Sequence, residues 1–415
     1  MPHDNEDHFT QGQIMASAEQ ARRLGRRFIM LDNVLVVFGF FSVFPLISIH
    51  FVDQLGWAAA AVGLALAIRQ LMQQGLGLLG GSLADRYGAK PLIVGGMLLR
   101  AAGFAAMAMA ETPATLVFSC ILSGLGGMLF DPPRAALIIK LTRQHERNHF
   151  YTLLMMWESA AAVSGAMLGS WLLHFDFWWV GMGGCAVFVL AAAANLWLLP
   201  AYRVASGKAS PLASVRIVLA DKRYMRLVLT LSGYYVLGVQ IMLLVPIVLK
   251  QMAGTPQVVG WLYAMETTLS LTLLYPLAKL GERHFSLAQR MLLGIAVMTL
   301  SLLLMALAQN LWLAMPLLAL FYTGSLITEP AREALLASYA QSEARASYSG
   351  TSRLGLALGG ATGYLGGGWL LDISRSLAMP ALPWLILAAI GSLTFLALYR
   401  QLLHTGATPA LAQPA

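Results

Sequence analysis

The chain alternates long apolar runs with short polar connections over nearly all of its 415 residues. A helix of about 20 apolar residues crosses a hydrocarbon core of roughly 30 Å. Hydrophobic residues make up 58% of the chain and charged residues only 11%, which excludes an ordinary water-soluble protein. We predict an all-α polytopic membrane protein with twelve transmembrane helices, at residues 28–51, 57–83, 91–110, 114–140, 149–173, 178–200, 225–250, 257–280, 287–308, 311–339, 347–371 and 381–403.

The basic residues are distributed unevenly between the even-numbered and the odd-numbered connections that join these runs. Most of the 27 Lys and Arg fall in the two tails and the even-numbered connections, whereas the odd-numbered connections hold only Lys250 and Arg375. Since cytoplasmic connections are enriched in Lys and Arg, both termini and the central linker are predicted to be cytoplasmic. This distribution accounts for the net charge of +8 without a nucleic-acid partner. The predicted organisation is a tail at 1–27, a six-helix bundle at 28–200, a linker at 201–224, a second six-helix bundle at 225–403 and a tail at 404–415.

The two predicted bundles carry traces of a duplication. A shift of 198 residues aligns Asp-Pro-Pro-Arg at 131–134 with Glu-Pro-Ala-Arg at 329–332, and a shift of 197 aligns Arg69 with Glu266. Six spans return the chain to its starting side, so the two bundles insert in parallel and are related by an axis along the membrane normal. This arrangement is typical of rocker-type secondary transporters, whose substrate cavity lies between the halves near the midplane.

A short charged connection joins the second and third runs. Glycines let helix ends approach and turn, while basic side chains hold the loop in water or against anionic headgroups. Its pattern resembles the signature loop G-x-x-x-D-R-x-G-R-[RK]-x-x-[LIV] of the major facilitator superfamily through Gly81, Asp85, Arg86, Gly88 and Lys90. Ala89 departs from it, because the family usually has Arg there. With this loop, the segments 28–49, 124–134 and 355–360 resemble the drug:proton antiporter group with twelve spans.

The resemblance implies a function. It implies efflux of drug-like compounds, fluoroquinolones among them, from the cytoplasm of a Gram-negative bacterium against inward proton flow. The expected location is the inner membrane, and the expected partners are small molecules, protons and the bilayer around a monomer. Two family elements are incomplete: Gly-Ala-Met-Leu-Gly-Ser at 165–170 lacks the Pro and last Gly of G-P-x-x-G-G, and Cys120 replaces the Arg of R-x-x-x-G-x-G. The coupling site therefore cannot simply be carried over.

No cofactor or metal is expected. Cys120 and Cys185 lie inside apolar runs, so they are predicted to be small buried residues and not a disulfide, and no metal-ligand spacing occurs in the sequence. Walker motifs are missing from it too, so the proton gradient is the expected energy source. An enzyme is the least favoured class, because the sequence has no nucleophile–base constellation.

Ionisable residues inside the apolar runs are the candidate functional groups, because each costs on the order of 3 kcal/mol in the hydrocarbon region. Asp32 in the first run and Glu158 in the fifth are the proton-coupling candidates. Asp32 could instead be an interfacial carboxylate beside Arg26 and Arg27, and Glu158 could instead bind a cationic substrate.

Opposite charges at matched positions suggest a gate. Arg69 and Glu266 would attract each other across the two halves in one state and separate in the other. Static pairs within each half are the alternative, Arg69 with Asp131 and Glu266 with Arg332. The family resemblance implies that Asp131, Arg134, Glu329 and Arg332 brace the cytoplasmic gate. Arg100 in the third run could snorkel to the interface or pair with Asp32.

Polar and aromatic residues on the predicted inner faces are candidates for the cavity wall, because methionine and aromatic side chains adapt to varied planar shapes. They are Gln70, Gln73, Met155, Trp157, Tyr234, Tyr235, Tyr263 and Arg353. The sequence favours a proton-driven exporter. Proton-coupled uptake by symport and lipid handling by a flippase on the same fold stay open, because residue types do not encode direction.

Overall fold

The computed structural model describes residues 4–142, 144–199, 218–339 and 345–404, and these residues are almost entirely helical, with no strand among them. The prediction of an all-α fold is confirmed. The helices, labelled in chain order, are α1 Asp4–Val43, α2 Ala59–Gln70, α3 Gly77–Tyr87, α4 Ala89–Ala108, α5 Pro113–Leu141, α6 Gln144–Leu172, α7 Phe177–Leu198, α8 Lys222–Gly238, α9 Leu244–Ala253, α10 Val258–His284, α11 Leu287–Met305, α12 Leu311–Tyr339, α13 Arg345–Ser376 and α14 Leu382–Tyr399.

Some predicted spans are built from more than one helical segment. After α1 the chain continues through a 3₁₀ turn at Phe44–Leu46, where Pro45 removes a backbone donor, and a π turn at Ile49–Gln54. A second π turn, Leu71–Gly75, joins α2 to α3. The helix α1 starts well before residue 28, so residues of the predicted tail are helical from Asp4 onward. The predicted linker lies outside the described residues as far as residue 217.

The duplication is visible in helix bounds and in packing. Helices α5 and α12 are both 29 residues long and start 198 positions apart. In the first half α4 packs on α5, and in the second half α11 packs on α12, with almost no side chain between the helices of either pair. A Cβ on Gly96 would lie 2.6 Å from the carbonyl oxygen of Gly126, and a Cβ on Gly294 would lie 2.5 Å from that of Gly324. These glycines are related by the same shift of 198, so the two halves share one packing solution.

Helix polarity separates the spans into two classes. By length and hydropathy, eight helical stretches in the described residues qualify as membrane spans. The remaining predicted spans are helical at 59–87, 144–172, 258–284 and 345–376, but they are too polar or too interrupted to qualify. These four pack directly against the other half: α2 packs against α13, and α6 packs against α10. Their polarity therefore follows from lining the interface between the halves instead of facing lipid.

The halves meet at the end of the bundle that carries the odd-numbered connections. Along the α2–α13 seam the backbones touch, since a Cβ on Gly63 would overlap the carbonyl oxygen of Tyr364 and one on Gly368 would overlap that of Ala59. The α6–α10 seam is looser there, because a Cβ on Gly260 would meet only the Met167 side chain at close range, 2.8 Å from its Cγ.

Two polar contacts reinforce this closed end. The Asp372 carboxylate accepts from the backbone amides of Ala59 at 2.9 Å and Ala60 at 2.8 Å, so a residue of the second half caps the first turn of α2. Lys250 forms an ion pair with Asp53, which also accepts from Gln251 Nε2 at 3.0 Å. Asp53 and Lys250 are 197 residues apart, the shift that relates the halves, so the pair joins matched positions.

We predict that Gly96→Ala lowers the free energy of unfolding by about 1–3 kcal/mol, because the added methyl group meets the backbone of α5 and forces the helices apart. Thermal unfolding of the detergent-solubilised protein measures the change. Gly95→Ala is the matched control, since a Cβ at Gly95 has no neighbour within 4 Å among the described residues and alanine favours the helix by about 0.5–1 kcal/mol. Equal stability of the two variants would contradict the close approach.

Candidate transport cavity

A cavity of about 470 Å³ lies between the halves, on the even-connection side of the closed end. Its size falls in the range of sites that bury drug-sized molecules. Helices of both halves contribute to its wall, and the wall is rich in aromatic and amide side chains. The residues that bear on its chemistry are Phe40, Phe41, Arg69, Gln70, Gln73, Gln74, Tyr234, Tyr235, Tyr263, Glu266, Phe321, Tyr322, Ser325, Glu329, Arg332 and Tyr364.

The charges on this wall are polarised. The first half contributes Arg69, while the second half contributes Glu266 and Glu329, with Arg332 beside the latter. The matched positions Arg69 and Glu266 thus face one cavity, without an ion pair between them in the described contacts. Their gating role stays a prediction, but their placement on opposite walls is what a polarised binding site requires.

A smaller cavity of about 260 Å³ adjoins the same carboxylate. It is lined by Glu266 and Tyr322 from the second half and by Phe41 and Glu158 from the first, with hydroxyl groups from both halves. Glu266 therefore borders both cavities, and Glu158 faces it across the smaller one. Two carboxylates from different halves thus border one space between the halves.

Arg69 is held by amides and aromatic rings. Its guanidinium donates to Gln73 Oε1 at 2.5 Å and to Gln70 Oε1 at 3.1 Å. It also lies 4.2 Å from the centre of the Phe44 ring, a cation–π distance. Gln73 Nε2 in turn donates to Asp131 Oδ2 at 2.8 Å. The direct Arg69–Asp131 pair considered from the sequence is therefore replaced by a bridge through Gln73.

Arg100 is buried in the first half and pairs with Asp131, at 3.7 Å between Nη2 and Oδ1. The rings of Phe130 and Phe188 each lie 5.7 Å from its guanidinium carbon. The predicted pair with Asp32 is wrong, as is snorkelling to the interface, because α4 directs Arg100 toward α5 instead. Asp131 thus neutralises a cation that would otherwise be unpaired in an apolar site.

Asp32 is buried, with 4% of its surface exposed, so the interfacial alternative is wrong. Its Oδ1 accepts from Asn195 Nδ2 of α7 at 2.6 Å, and the same amide donates to the Ala191 carbonyl at 2.8 Å. The structure describes no basic side chain within 4 Å of this carboxylate. Asn195 was not singled out from the sequence, although a polar residue in a run as apolar as 177–198 was a usable signal.

Glu158 accepts a hydrogen bond from the side chain of Asn33 and lies 3.8 Å from Arg134 Nη1. Asn33 follows Asp32 in the chain, so the two proton-coupling candidates are linked through adjacent residues of α1. Arg134 also lies 5.4 Å from the centre of the Phe130 ring. The two candidates therefore differ in their surroundings: Glu158 has a basic partner, whereas Asp32 has an amide partner.

In the second half, Arg332 binds the carboxylates of Glu329 at 2.5 Å and Glu333 at 2.6 Å. The Tyr234 hydroxyl donates to Glu329 Oε1 at 2.8 Å. The static pair of Glu266 with Arg332 is therefore wrong, because Arg332 already has two carboxylates on its own helix. Glu266 has no basic side chain within 4 Å in the part of the chain that the structure describes.

The predicted wall residues divide into two groups. Five of them line the larger cavity: Gln70, Gln73, Tyr234, Tyr235 and Tyr263. Met155, Trp157 and Arg353 lie outside the linings of both cavities, and the first two are about half exposed. Tyr322 and Phe40 line the larger cavity but were missed, because aromatic residues in apolar runs carry no sequence signal that separates cavity from core.

The signature connection forms a tight turn between two helices. Gly88 separates α3 from α4 with φ +88°, a conformation that favours glycine, and its amide donates to the Ala84 carbonyl at 2.9 Å. Arg86 is exposed, as predicted for a residue held in water or against headgroups. The backbone at 81–87 is helical, while the side chain of Asp85 lies outside the described residues.

Comparison with known proteins gives consistent results. The family model of the Major Facilitator Superfamily matches residues 29–252. Multidrug resistance protein MdtH of Yersinia enterocolitica (serotype O:8 / biotype 1B) is 59% identical over 387 residues, which cover 93% of this chain and 96% of that protein. MdtH of Yersinia pestis (strain Pestoides F) matches with the same identity and the same coverage.

Solved structures support the fold alone, because their sequences are distant. The crystal structure of the nucleoside transporter NupG superposes with a TM-score of 0.74 at 16% identity and covers 91% of this chain and 98% of that chain. An auto-inhibited peptide transporter of the POT family gives a TM-score of 0.74 at 14% identity and covers 94% of this chain and 99% of that chain.

We predict that Asp131→Asn lowers the free energy of unfolding by about 3–5 kcal/mol, because it leaves the buried Arg100 guanidinium without a counter-charge. Chemical denaturation in detergent measures the change, and adding Arg100→Gln in the same chain should recover part of the loss. Glu282→Gln is the control, since its pair with Arg290 has the same 3.7 Å separation but an exposed carboxylate, and it should cost less than about 1 kcal/mol. Equal losses would show that burial of Arg100 is not the cause.

Proposed function

The chain belongs to the major facilitator superfamily, and on that premise we propose that it is a proton-driven exporter of drug-like compounds. It is a multi-pass membrane transporter by its fold and family. The name of its 59%-identical relatives, multidrug resistance protein, supports efflux of several compounds. The proposal places the chain as a monomer in a bacterial inner membrane, with both termini in the cytoplasm, where the basic connections lie.

The polarised aromatic cavity is the observation that carries the proposal. Aromatic rings from both halves offer faces on which planar molecules stack, and the amides of Gln70 and Gln73 supply adaptable hydrogen bonds. Arg69 on one wall suits a carboxylate, and Glu266 on the opposite wall suits an amine. Such a cavity fits planar compounds that carry both charges, a class that includes the fluoroquinolones.

The cavity's position supports loading of the substrate from the cytoplasm. The seams between the halves close the end with few basic residues, and the cavity lies on the other side of them. With the basic connections in the cytoplasm, substrate enters from that side. Alternating access then requires the closed end to open, with rupture of the Asp53–Lys250 pair and of the Asp372 cap on α2.

Proton coupling is assigned to carboxylates, with Asp32 first and Glu158 second. Asp32 has no basic partner within 4 Å among the described residues, so protonation neutralises it without stranding a cation. Glu158 borders the smaller cavity opposite Glu266, where a proton and a substrate cation would compete. The carboxylate would bind a proton from outside the cell and release it on the cytoplasmic side. Inward movement of the proton would thus be exchanged for outward movement of the substrate.

We predict that Asp32→Asn abolishes uphill efflux of a fluoroquinolone and that Glu158→Gln reduces it, while downhill equilibration continues in both. Transport into everted vesicles, with and without a proton gradient, measures the effect. Glu282→Gln is the control, because it removes an exposed carboxylate away from both cavities. Full uphill efflux in both variants would contradict the assignment.

The same vesicles test the direction of coupling. Addition of drug should alkalinise the lumen of everted vesicles if proton and substrate move in opposite directions. Acidification of the lumen on the same addition would instead indicate symport, in which solute and proton enter together, and would overturn the export proposal.

We predict that Glu266→Gln weakens transport of a permanent cation such as ethidium about tenfold to a hundredfold, because it removes a charge-assisted contact in a cavity of low dielectric. Transport of a neutral compound such as chloramphenicol should change little, and this comparison within one variant controls for folding. An equal loss of transport for the two compounds would show that Glu266 does not recognise the charge of the substrate.

A further inference from the structure

A second concave site lies away from the transport cavity, on the basic face of the second half. It encloses about 260 Å³ between the start of α8, the end of α12 and the π turn Arg400–His404 that follows α14. Three arginines line it, Arg223, Arg226 and Arg400, above a floor of buried leucine side chains at Leu227 and Leu402.

The three arginines converge on one pocket. None of them has a carboxylate within 4 Å in the portion of the chain that the structure describes. Asp221, two positions before Arg223, is already engaged, because it caps α8 through the amides of Arg223 and Tyr224 and accepts from the Tyr348 hydroxyl at 2.9 Å. Like charges that share one concave pocket repel each other unless an anion binds between them.

The nearby sequence outside the described residues offers little to neutralise these charges. Neither residues 200–217 nor residues 405–415 contain an Asp or Glu. Glu343, four positions after Tyr339 of the pocket, is the acidic residue that could compete, and it is tested below.

The pocket is attached to the membrane-spanning body. Gln401 Nε2 donates to Thr230 Oγ1 at 2.8 Å, which ties the π turn to α8. Helices α8 and α14 pack against each other, and a Cβ on Gly233 would overlap the Thr394 hydroxyl. The position of Arg400 in the π turn relative to the arginines of α8 is therefore fixed by the fold.

An apolar surface runs from the pocket toward the membrane interior. Leu229 lies one turn along α8 from Arg226, and Leu396 and Leu393 lie one and two turns along α14 from Arg400, on the same helix faces. All three leucines are about half exposed or more. A ligand that occupies both the arginine-lined pocket and the leucine surface needs an anionic head and long apolar chains.

We propose that this pocket binds the phosphate headgroup of an anionic phospholipid in the leaflet on the basic face, with the acyl chains along the leucines of α8 and α14. Arginine recognises phosphate through paired N–H donors, and basic pockets between spanning helices are suited to such headgroups. A free phosphate would use the three guanidinium groups but would leave the apolar surface unused, which is why a lipid is favoured.

Native mass spectrometry of the purified full chain tests the proposal with phosphatidylglycerol and phosphatidylethanolamine. The double variant Arg226→Ala/Arg400→Ala should bind phosphatidylglycerol about 25-fold more weakly, at about fivefold for each arginine. The control Lys279→Ala/Arg283→Ala removes the same charge from the same face but outside the pocket, and should bind within about twofold of the unaltered chain. Equal binding by the two double variants overturns the site.

Two further binding measurements identify the molecule that occupies the pocket. Glycerol 1-phosphate should bind far more weakly than phosphatidylglycerol, and equal affinity would assign the site to a soluble phosphate and overturn the lipid. Glu343→Gln should leave phosphatidylglycerol binding unchanged, and a tenfold rise would show that Glu343 fills the pocket and overturn the proposal. Unchanged thermal unfolding and elution of the Arg226→Ala/Arg400→Ala protein in lipid-free detergent separate lost binding from lost folding.

Discussion

Contact between the backbones of α2 and α13 is the constraint on which the arrangement of the halves depends. Gly63 and Gly368 let the two helices touch, and Asp372 of one half completes the first turn of a helix in the other. This contact closes one end of the molecule, so the polar faces of the spans can part only on the opposite side. The cavity lies on that side because the closed end leaves no other place for water and substrate.

Duplication explains why that cavity is polarised. Matched positions of two parallel halves face each other near the axis, so identical charges there would repel across a low-dielectric space. The sequence avoids this repulsion by opposite signs: Asp53 pairs with Lys250 at the closed end, and Arg69 stands across the cavity from Glu266. The Asp53–Lys250 ion pair is formed and holds the closed end together, whereas Arg69 and Glu266 are separated by the cavity.

The helical character of the apolar runs and the repeat could be predicted from the sequence, because apolar length and a fixed shift are properties of the chain itself. The breaks inside the runs could not, and the twelve predicted spans correspond to fourteen α-helices in the described residues. Which side chains contact each other could not be predicted, because these contacts depend on how each helix is rotated about its own axis in the packed bundle. From the sequence, Arg100 could snorkel to the interface or pair with Asp32, but it meets Asp131, since α4 packs on α5 through its glycine face. Met155 and Trp157 look like wall residues by composition, yet the lining of α6 begins at Glu158 and Ser159.

The two seams between the halves differ in what fills them. At α2–α13 rigid main chain meets rigid main chain, whereas at α6–α10 Gly260 meets the flexible side chain of Met167. Thioether chains change rotamer at little cost, so the second seam yields before the first does. Rocking of the halves would therefore be lopsided, with α2–α13 acting as the pivot and α6–α10 as the side that swings open.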